Sequence, residues 1–282
     1  MLIGDQSKQI TKESKSSFYY AFSLLPRPKR DAMNAVYAFC RKTDDIVDEG
    51  NDPDDLKYER LRKWRIELEK AIAGNSTYPL LNKVAVIIQQ FNIPLDPFFE
   101  LIIGMEMDLQ RKRYLSFDDL VQYCYRVAST VGLMCIEIFG YKNNSAKDYA
   151  VNLGVAMQLT NILRDVGRDA EKGRIYLPQK DLIQFNYSEK DVLDKKYDEN
   201  FINLMKYESE RAKNYFTKAD IALDFDDKPS LFPARAMEKI YYKLLQKIEH
   251  EDYDVLSQKI KVSKFEKAGI SVGVWAKYSL VY

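Results

Sequence analysis

The chain has 282 residues, with 43 Lys and Arg, 42 Asp and Glu, and 46% hydrophobic residues, which suits a globular protein with a sizeable core. The formal net charge of +1 gives no electrostatic reason to expect a nucleic-acid partner, because proteins that bind the phosphate backbone carry a clear basic excess. His250 is the only histidine, which excludes a His-based zinc cluster and argues against a catalytic triad. The three scattered cysteines are typical of reduced thiols in a cytoplasmic protein. We therefore expect any chemistry to depend on carboxylates.

Apolar residues recur at three- to four-residue spacing through most of the chain, a pattern that predicts helices. The predicted helical segments are Ala32–Val47, Leu56–Ala73, Pro79–Phe91, Pro97–Leu109, Phe117–Phe139, Ala146–Val166, Asn200–Leu223 and Ala234–Ile248. No two-residue alternation bounded by turn signals indicates a strand, and no linker rich in Ser, Gly or Pro divides the chain. The sequence therefore predicts one all-α domain over residues 1–282.

No stretch reaches the ~18 consecutive apolar residues that a transmembrane helix needs, and we expect a cytoplasmic protein. Contact with a bilayer surface leaves no such length signature, so peripheral membrane association stays open. The final residues, Val272–Tyr282, could lie on a bilayer or cover a cavity, but packing against the fold is favoured.

Two pairs of aspartates occupy equivalent positions on two of the predicted helices. Asp44 and Asp48 lie four residues apart at the end of the first, and Asp165 and Asp169 repeat this spacing at the end of the sixth. Residues four apart share one face of a helix, where like charges repel. A single pair is most often a solvated surface, since charged residues are mostly exposed. Finding the pair twice, each time beside an arginine and the second time inside an apolar stripe, favours a binding site.

A polar stripe leads into the second pair. Gln158, Asn161 and Asp165 stack at three- and four-residue steps along a helix too apolar to be exposed, and burying them without partners is costly. The stripe therefore requires a ligand, a metal or a matching polar helix. Oxygen ligands without His favour Mg²⁺, which usually completes its shell with substrate phosphate. Because Arg41 and Arg164 adjoin the pairs and can bind phosphate oxygens, the pattern predicts a diphosphate leaving group.

Five segments spread over most of the chain resemble the squalene/phytoene synthase family of trans-isoprenyl diphosphate synthases. They are SSFYYAF at 16–22, YAFCR at 37–41 running into DDIVD at 44–48, YCYRVASTVG at 123–132, the stretch 153–169, and GRIYLP at 173–178. The first segment is most similar to bacterial members, including those that stop at presqualene diphosphate.

The resemblance implies an all-α isoprenoid-synthase bundle around a deep central cavity, and it assigns roles to individual positions. Under it, the catalytic residues are Asp44, Asp48, Asp165, Asp169 and Tyr123. The four aspartates, with Asn161, are expected to hold Mg²⁺, with Mn²⁺ as an alternative. The expected substrate-binding residues are Ser17, Phe18, Tyr37, Arg41, Gln158, Asn161, Arg164, Tyr176 and Tyr241. Asp108 would support this network from a neighbouring helix.

The implied activity is the head-to-head condensation of two identical C15 or C20 prenyl diphosphates through a cyclopropylcarbinyl diphosphate. The product would be phytoene, squalene, dehydrosqualene or presqualene diphosphate. The sequence has no Gly-rich dinucleotide motif, which weakly disfavours NADPH. Two alternatives stay open: a terpene cyclase or chain-elongating synthase built on the same acidic pairs, and a non-catalytic helical scaffold whose acidic pairs are solvated on separate faces.

Overall fold

The computed structural model describes residues 17–50, 52–110 and 112–280, except for the side chains of residues 17–19, 279 and 280. Over these ranges the backbone forms helices and one isolated bridge, between Arg113 and Ile175, but no strand. The α-helices are α1 (Ser17–Phe22), α2 (Arg27–Asp48), α3 (Asp54–Ile72), α4 (Pro79–Phe91), α5 (Asp96–Gln110), α6 (Phe117–Cys124), α7 (Thr130–Phe139), α8 (Ser145–Glu171), α9 (Gln179–Gln184), α10 (Glu189–Leu193), α11 (Glu199–Ala222), α12 (Phe232–His250) and α13 (Lys264–Leu280). The predicted all-α class is confirmed.

The long helix α8 is the centre of the bundle, and its 27 residues extend about 40 Å. It packs against α7, α11 and α12 and against a π-helical turn formed by residues Tyr125–Ser129. A Cβ atom on Gly154 of α8 would lie 2.4 Å from Cα of Ser129. This close approach of two backbones requires glycine, and it fixes where α8 lies against the turn.

Helix α2 begins at Arg27, with Pro28 in its first turn, where the missing N–H costs nothing. Near its end it is held by an aromatic cluster, in which the ring of Phe39 lies 6.0 Å from Trp64 and 5.3 Å from Phe98. The indole Nε1 of Trp64 donates a hydrogen bond of 2.9 Å to Oγ1 of Thr43. These contacts fix the last turns of α2 against α3 and α5.

Four helices and one irregular turn differ from the sequence prediction. The segment Phe117–Phe139, predicted as one helix, is interrupted by the π turn. Helices α1, α9, α10 and α13 were not predicted. Helix α13 packs against α1 and α12, as favoured for the end of the chain. Among the described helices, none combines the length and the apolar character required to cross a bilayer.

Candidate active site

A large cavity of about 550 Å³ opens between α2, α5, α7, α8, α12 and the π turn. The two longest walls, α2 and α8, change in the same direction along the chain, from apolar side chains to charged ones. On α8, Leu153 and Met157 precede Asn161, Asp165 and Asp169 along the lining. The cavity therefore has an apolar interior and a charged mouth.

Helix α2 contributes one acidic pair to this mouth. Arg41 donates to Oδ2 of Asp44 at 3.0 Å and forms an ion pair of 2.7 Å with Oδ1 of Asp45. Two-fifths of the Asp44 side chain is open to the cavity, yet protein surrounds the carboxyl on most sides. This burial, with the nearby charge of Asp48, raises the pKa of Asp44 to about 6.

Helix α8 contributes the second acidic pair. Arg164 Nε donates to Oδ1 of Asp165 at 3.0 Å, and Arg168 pairs with the same carboxylate at 2.8 Å. Burial and the charge of Asp165 raise the pKa of Asp169 to about 7. Each acidic pair therefore combines a carboxyl that resists ionisation with nearby guanidinium groups.

The two walls are joined across the mouth by residues that follow α8. Arg174 donates from Nη1 to Oδ1 of Asp48 at 3.0 Å, and Lys172 Nζ lies 3.9 Å from Oδ2 of the same residue. Arg174 and Asp48 are 126 residues apart. Asp44 and Asp165 line the same cavity, whereas the scaffold interpretation places them on separate faces.

The chemistry of the mouth fits a divalent cation, although the protein alone does not surround one. Among the described residues, no three His, Cys, Asp or Glu side chains are grouped closely enough to hold a metal ion. Mg²⁺ usually takes one or two carboxylates and completes its octahedron with water and substrate phosphate. Both acidic pairs lie in or next to the last turn of a helix, where the helix dipole favours cations over carboxylates. The oxygen of Asn161 is buried without a hydrogen-bond donor. These features suit a cation ligand.

A second polar cluster lies in the cavity wall and is centred on Asp108 of α5. Its two carboxylate oxygens accept hydrogen bonds from the hydroxyls of Tyr123, at 3.0 Å, and Tyr176, at 2.8 Å. The rings of these tyrosines lie 5.3 Å apart and both lie against Tyr114. Burial raises the pKa of Asp108 to about 6, opposed mainly by Arg174 and the two hydroxyls. The sequence indicated Asp108 only as a supporting residue.

The remaining predicted substrate-binding residues line the same cavity where their side chains are described. Tyr37, Gln158, Asn161 and Tyr241 all face it. Nδ2 of Asn161 donates to Gln158 Oε1 at 3.3 Å, so this part of the polar stripe is internally paired. The predictions for Ser17 and Phe18 concern side chains outside the described residues.

Three basic residues at the mouth were not predicted. Arg168 lies three residues after Asp165, a spacing that could have revealed it. Lys172 and Arg174 come after the helix, and their partner Asp48 is distant in sequence. No local pattern predicts such a contact.

Behind the mouth and the Asp108 cluster, the described lining residues of the cavity carry no charged side chain. The apolar interior is lined by Phe22, Leu101, Met105, Val131, Ile136, Phe139, Leu153, Met157 and Met237, with the thiols of Cys40 and Cys135. Burial raises the pKa of the Cys135 thiol to about 12 and that of Cys40 still higher. Both thiols are therefore neutral and behave as small apolar groups.

Comparison with known proteins gives consistent results. The sequence profile of the squalene/phytoene synthase family matches residues 11–266. A phytoene synthase from Arthrospira platensis is 38% identical over 273 residues, covering 92% of this chain and 88% of that protein. A 15-cis-phytoene synthase from Synechococcus elongatus is 36% identical, with coverages of 93% and 89%.

Solved structures show the same similarity. A dehydrosqualene synthase crystallised with a ligand superposes with a TM-score of 0.86 at 31% identity, covering 99% of this chain and 97% of that one. A squalene synthase from Alicyclobacillus acidocaldarius gives a TM-score of 0.81 at 26% identity, with coverages of 89% and 94%. The bundle is therefore the isoprenoid-synthase fold. The chain belongs to the squalene/phytoene synthase family of prenyltransferases.

Proposed function

We propose that this enzyme condenses two prenyl diphosphates head to head, and that its product is phytoene, formed from two C20 diphosphates. The observation that carries the proposal is a cavity with four aspartates and five basic residues at its mouth and an apolar interior behind them. Relatives named phytoene synthases, at 36–38% identity over nine-tenths of the chain, favour phytoene over the other products.

In the first half of the reaction, the bond between C1 and oxygen of one allylic diphosphate breaks and its electron pair leaves with the diphosphate. Arg41, Arg164, Arg168 and Arg174 now contact carboxylates at the mouth, and a diphosphate would compete for these donors. Guanidinium groups bind phosphate oxygens in a bidentate manner. They would stabilise the charge that develops as the diphosphate departs.

The same mouth would hold the metal. Asp44, Asp48, Asn161, Asp165 and Asp169 are the residues that we expect to bind Mg²⁺, with Mn²⁺ as an alternative. When bound, the ion would supply positive charge to the phosphate oxygens.

Behind the mouth, the apolar lining would exclude water from the allylic cation. The double bond of the second substrate then attacks C1 of the first, and loss of a proton from that carbon closes a cyclopropane ring. Ionisation of the second diphosphate, rearrangement and loss of another proton give the linear hydrocarbon. No reductant is consumed on this route, so phytoene formation does not require NADPH.

We assign the Asp108 cluster to the carbocation stages. Because both hydroxyls donate to the Asp108 carboxylate, the oxygen lone pairs of Tyr123 and Tyr176 are directed away from it. The buried carboxylate also increases the electron density of both rings. Electron-rich aromatic rings and phenol oxygens attract a nearby cation.

The decisive experiment supplies C15 or C20 prenyl diphosphate alone, with and without Mg²⁺ and NADPH, and analyses products by mass spectrometry. Part of each reaction is treated with phosphatase, so that a cyclopropylcarbinyl diphosphate is detected as its alcohol. We expect a C40 hydrocarbon from the C20 substrate, two diphosphates released per product, and no effect of NADPH. A cyclic hydrocarbon from one substrate molecule would instead identify a terpene cyclase. A longer linear diphosphate, formed only when a C5 diphosphate is added, would identify a chain-elongating synthase.

A further inference from the structure

The C-terminal helix α13 presents an apolar face to solvent. Phe265 is 91% exposed, the largest exposed fraction among the large apolar side chains of the described residues, and Val272 is 51% exposed. At 100° per residue, Phe265, Gly269, Val272 and Ala276 fall within about 60° of one another around the helix. A Cβ atom on Gly269 would have no neighbour within 4 Å. We call this set the outer stripe.

The outer stripe is not the side that packs against the protein. Ser271, Val274 and Tyr278 are the buried residues of α13, with exposed fractions of 2%, 4% and 7%, and they lie on the opposite side of the helix. Their neighbours are α1 and α12. Helix α13 therefore has apolar residues on two opposite faces, and the described helices pack against one of them. Isolated exposed apolar residues are common, but a continuous stripe on one helix indicates a contact surface.

The charged residues near the stripe are mostly lysines. Residues 255–280 contain five lysines and one acid, although the whole chain has a net charge of only +1. The lysines are Lys259, Lys261, Lys264, Lys267 and Lys277. The single acid, Glu266, is already paired with Lys247 at 2.9 Å and accepts from the backbone N–H of Ser263 at 2.8 Å. Lys267 lies on the packed side of the helix, where burial and the charge of Arg164 lower its pKa. Lys264 and Lys277 border the stripe, and the exposed Lys259 and Lys261 precede the helix.

We propose that the outer stripe and its lysines form a docking surface for an anionic membrane. An apolar stripe edged by basic side chains is the arrangement by which helices lie in the interface of a bilayer, with aromatic and aliphatic groups inserted among the acyl chains. Phe265 and Val272 are the inserting residues. Lys259, Lys261 and Lys264 contact the headgroups. This surface goes beyond the proposed reaction, and its test needs no enzymatic activity.

The position of α13 connects this surface to the cavity. Helix α12, against which α13 packs, carries Met237 and Tyr241 of the cavity lining, and α1 carries Phe22. The stripe is thus separated from the cavity wall by one layer of helices. An enzyme docked through α13 would hold its apolar cavity close to the bilayer in which long prenyl chains dissolve.

The test measures binding of the full chain to vesicles by flotation, at about 0.1 M salt, where surface charges are screened beyond about 10 Å. Vesicles of phosphatidylcholine with phosphatidylglycerol are compared with phosphatidylcholine alone. We expect at least tenfold more bound protein on the anionic vesicles, and loss of this difference at about 0.5 M salt. The double variant Lys261→Gln with Lys264→Gln should bind about 30-fold more weakly, since each basic residue near the surface contributes about 1 kcal/mol.

Insertion is tested with Phe265→Trp against Ile221→Trp as the matched control. Ile221 is 80% exposed, but it lies beside Asp220 and close to Asp224, so it should stay off an anionic surface. Brominated lipid should quench the tryptophan at position 265 and leave the one at 221 unchanged. Equal binding to neutral and anionic vesicles, or quenching at both positions, would overturn the proposal. A third outcome would also overturn it: the wild type does not bind vesicles, but forms a dimer in solution that Phe265→Asp dissociates. The stripe would then bind a second copy of the chain.

Discussion

Replacing a helical glycine by alanine should have opposite effects at two positions of this chain, Gly154 and Gly269, because only Gly154 is crowded. In Gly154→Ala, the added methyl would lie 2.4 Å from Cα, 2.6 Å from N and 2.8 Å from Oγ of Ser129. Ordinary contacts are 3.4–4 Å, so the shortfall is about 1 Å. The main obstacle is backbone, which cannot rotate away as a side chain would. Ser129 is itself held by its hydroxyl, which donates to the carbonyl of Val151 at 2.7 Å.

The clash between the added methyl and Ser129 can therefore be removed only if α8 moves away from the π turn. We expect Gly154→Ala to lower the free energy of unfolding by about 1–3 kcal/mol, as overpacked cores do. The matched control is Gly269→Ala, also a helical glycine, which has open space around it. There the alanine should raise stability by about 0.5–1 kcal/mol through helix propensity.

Equilibrium unfolding in urea, followed by circular dichroism, measures both changes. Steady-state turnover of folded Gly154→Ala gives a second readout. A displacement of about 1 Å in α8 also displaces Asn161 and Asp165, and misplacement of this size can cost about 10²-fold in rate. If Gly154→Ala unfolds within about 0.5 kcal/mol of wild type, the structural reasoning is wrong, and α8 is not fixed by this contact.

Three further predictions concern the site. Asp44→Asn should lower turnover by at least about 10³-fold with unchanged circular dichroism, and EDTA should abolish wild-type activity; full metal-free activity would contradict the assignment. Tyr123→Phe should lower kcat with little change in KM, because we assign its hydroxyl to the carbocation stages; comparable changes in kcat and KM would indicate a binding role. The third concerns Asp108, whose pKa is raised to about 6 from an ordinary 3.8. Its stabilising contribution is therefore present below about pH 4 and is lost as pH rises through 6, a change of about 3 kcal/mol. Urea unfolding at a series of pH values should show this fall in the free energy of unfolding for the wild type but not for Asp108→Asn. The same pH dependence in both proteins would contradict the prediction.

The acidic pairs could be predicted from sequence because their information is local. Asp165 and Asp169 share a helix face by spacing alone, and the polar stripe before them can be recognised from the amino-acid sequence. The contact between Arg174 and Asp48 spans 126 residues, so only the fold could reveal it. The aromatic cluster around Asp108 was underestimated for the same reason, since Tyr123 and Tyr176 reach it from different segments.

The missed π turn and the missed helix α13 have different causes. The π turn at Tyr125–Ser129 inserts one residue into the helical ladder but leaves the apolar pattern nearly continuous, so periodicity does not detect it. Helix α13 is apolar on two faces and contains Gly269 and Gly273. Because apolar residues lie on both faces with the charged residues between them, the three- to four-residue period has little contrast. The feature that concealed α13 from sequence reasoning is also the basis for proposing it as a membrane-docking surface.

Although the net charge of the chain is close to zero, charges of both signs are concentrated at the cavity mouth. At the mouth, Asp44, Asp48 and Asp165 each pair with an arginine, so in this structure opposite charges satisfy one another. A cation and a diphosphate would bring the same two charges from outside, the cation for the carboxylates and the diphosphate for the guanidinium groups. Binding of both together then exchanges one set of ion pairs for another, without leaving any charge desolvated and unpaired. Either ligand alone would leave the carboxylates or the guanidinium groups without an opposite charge, so we expect the cation and the diphosphate to bind cooperatively.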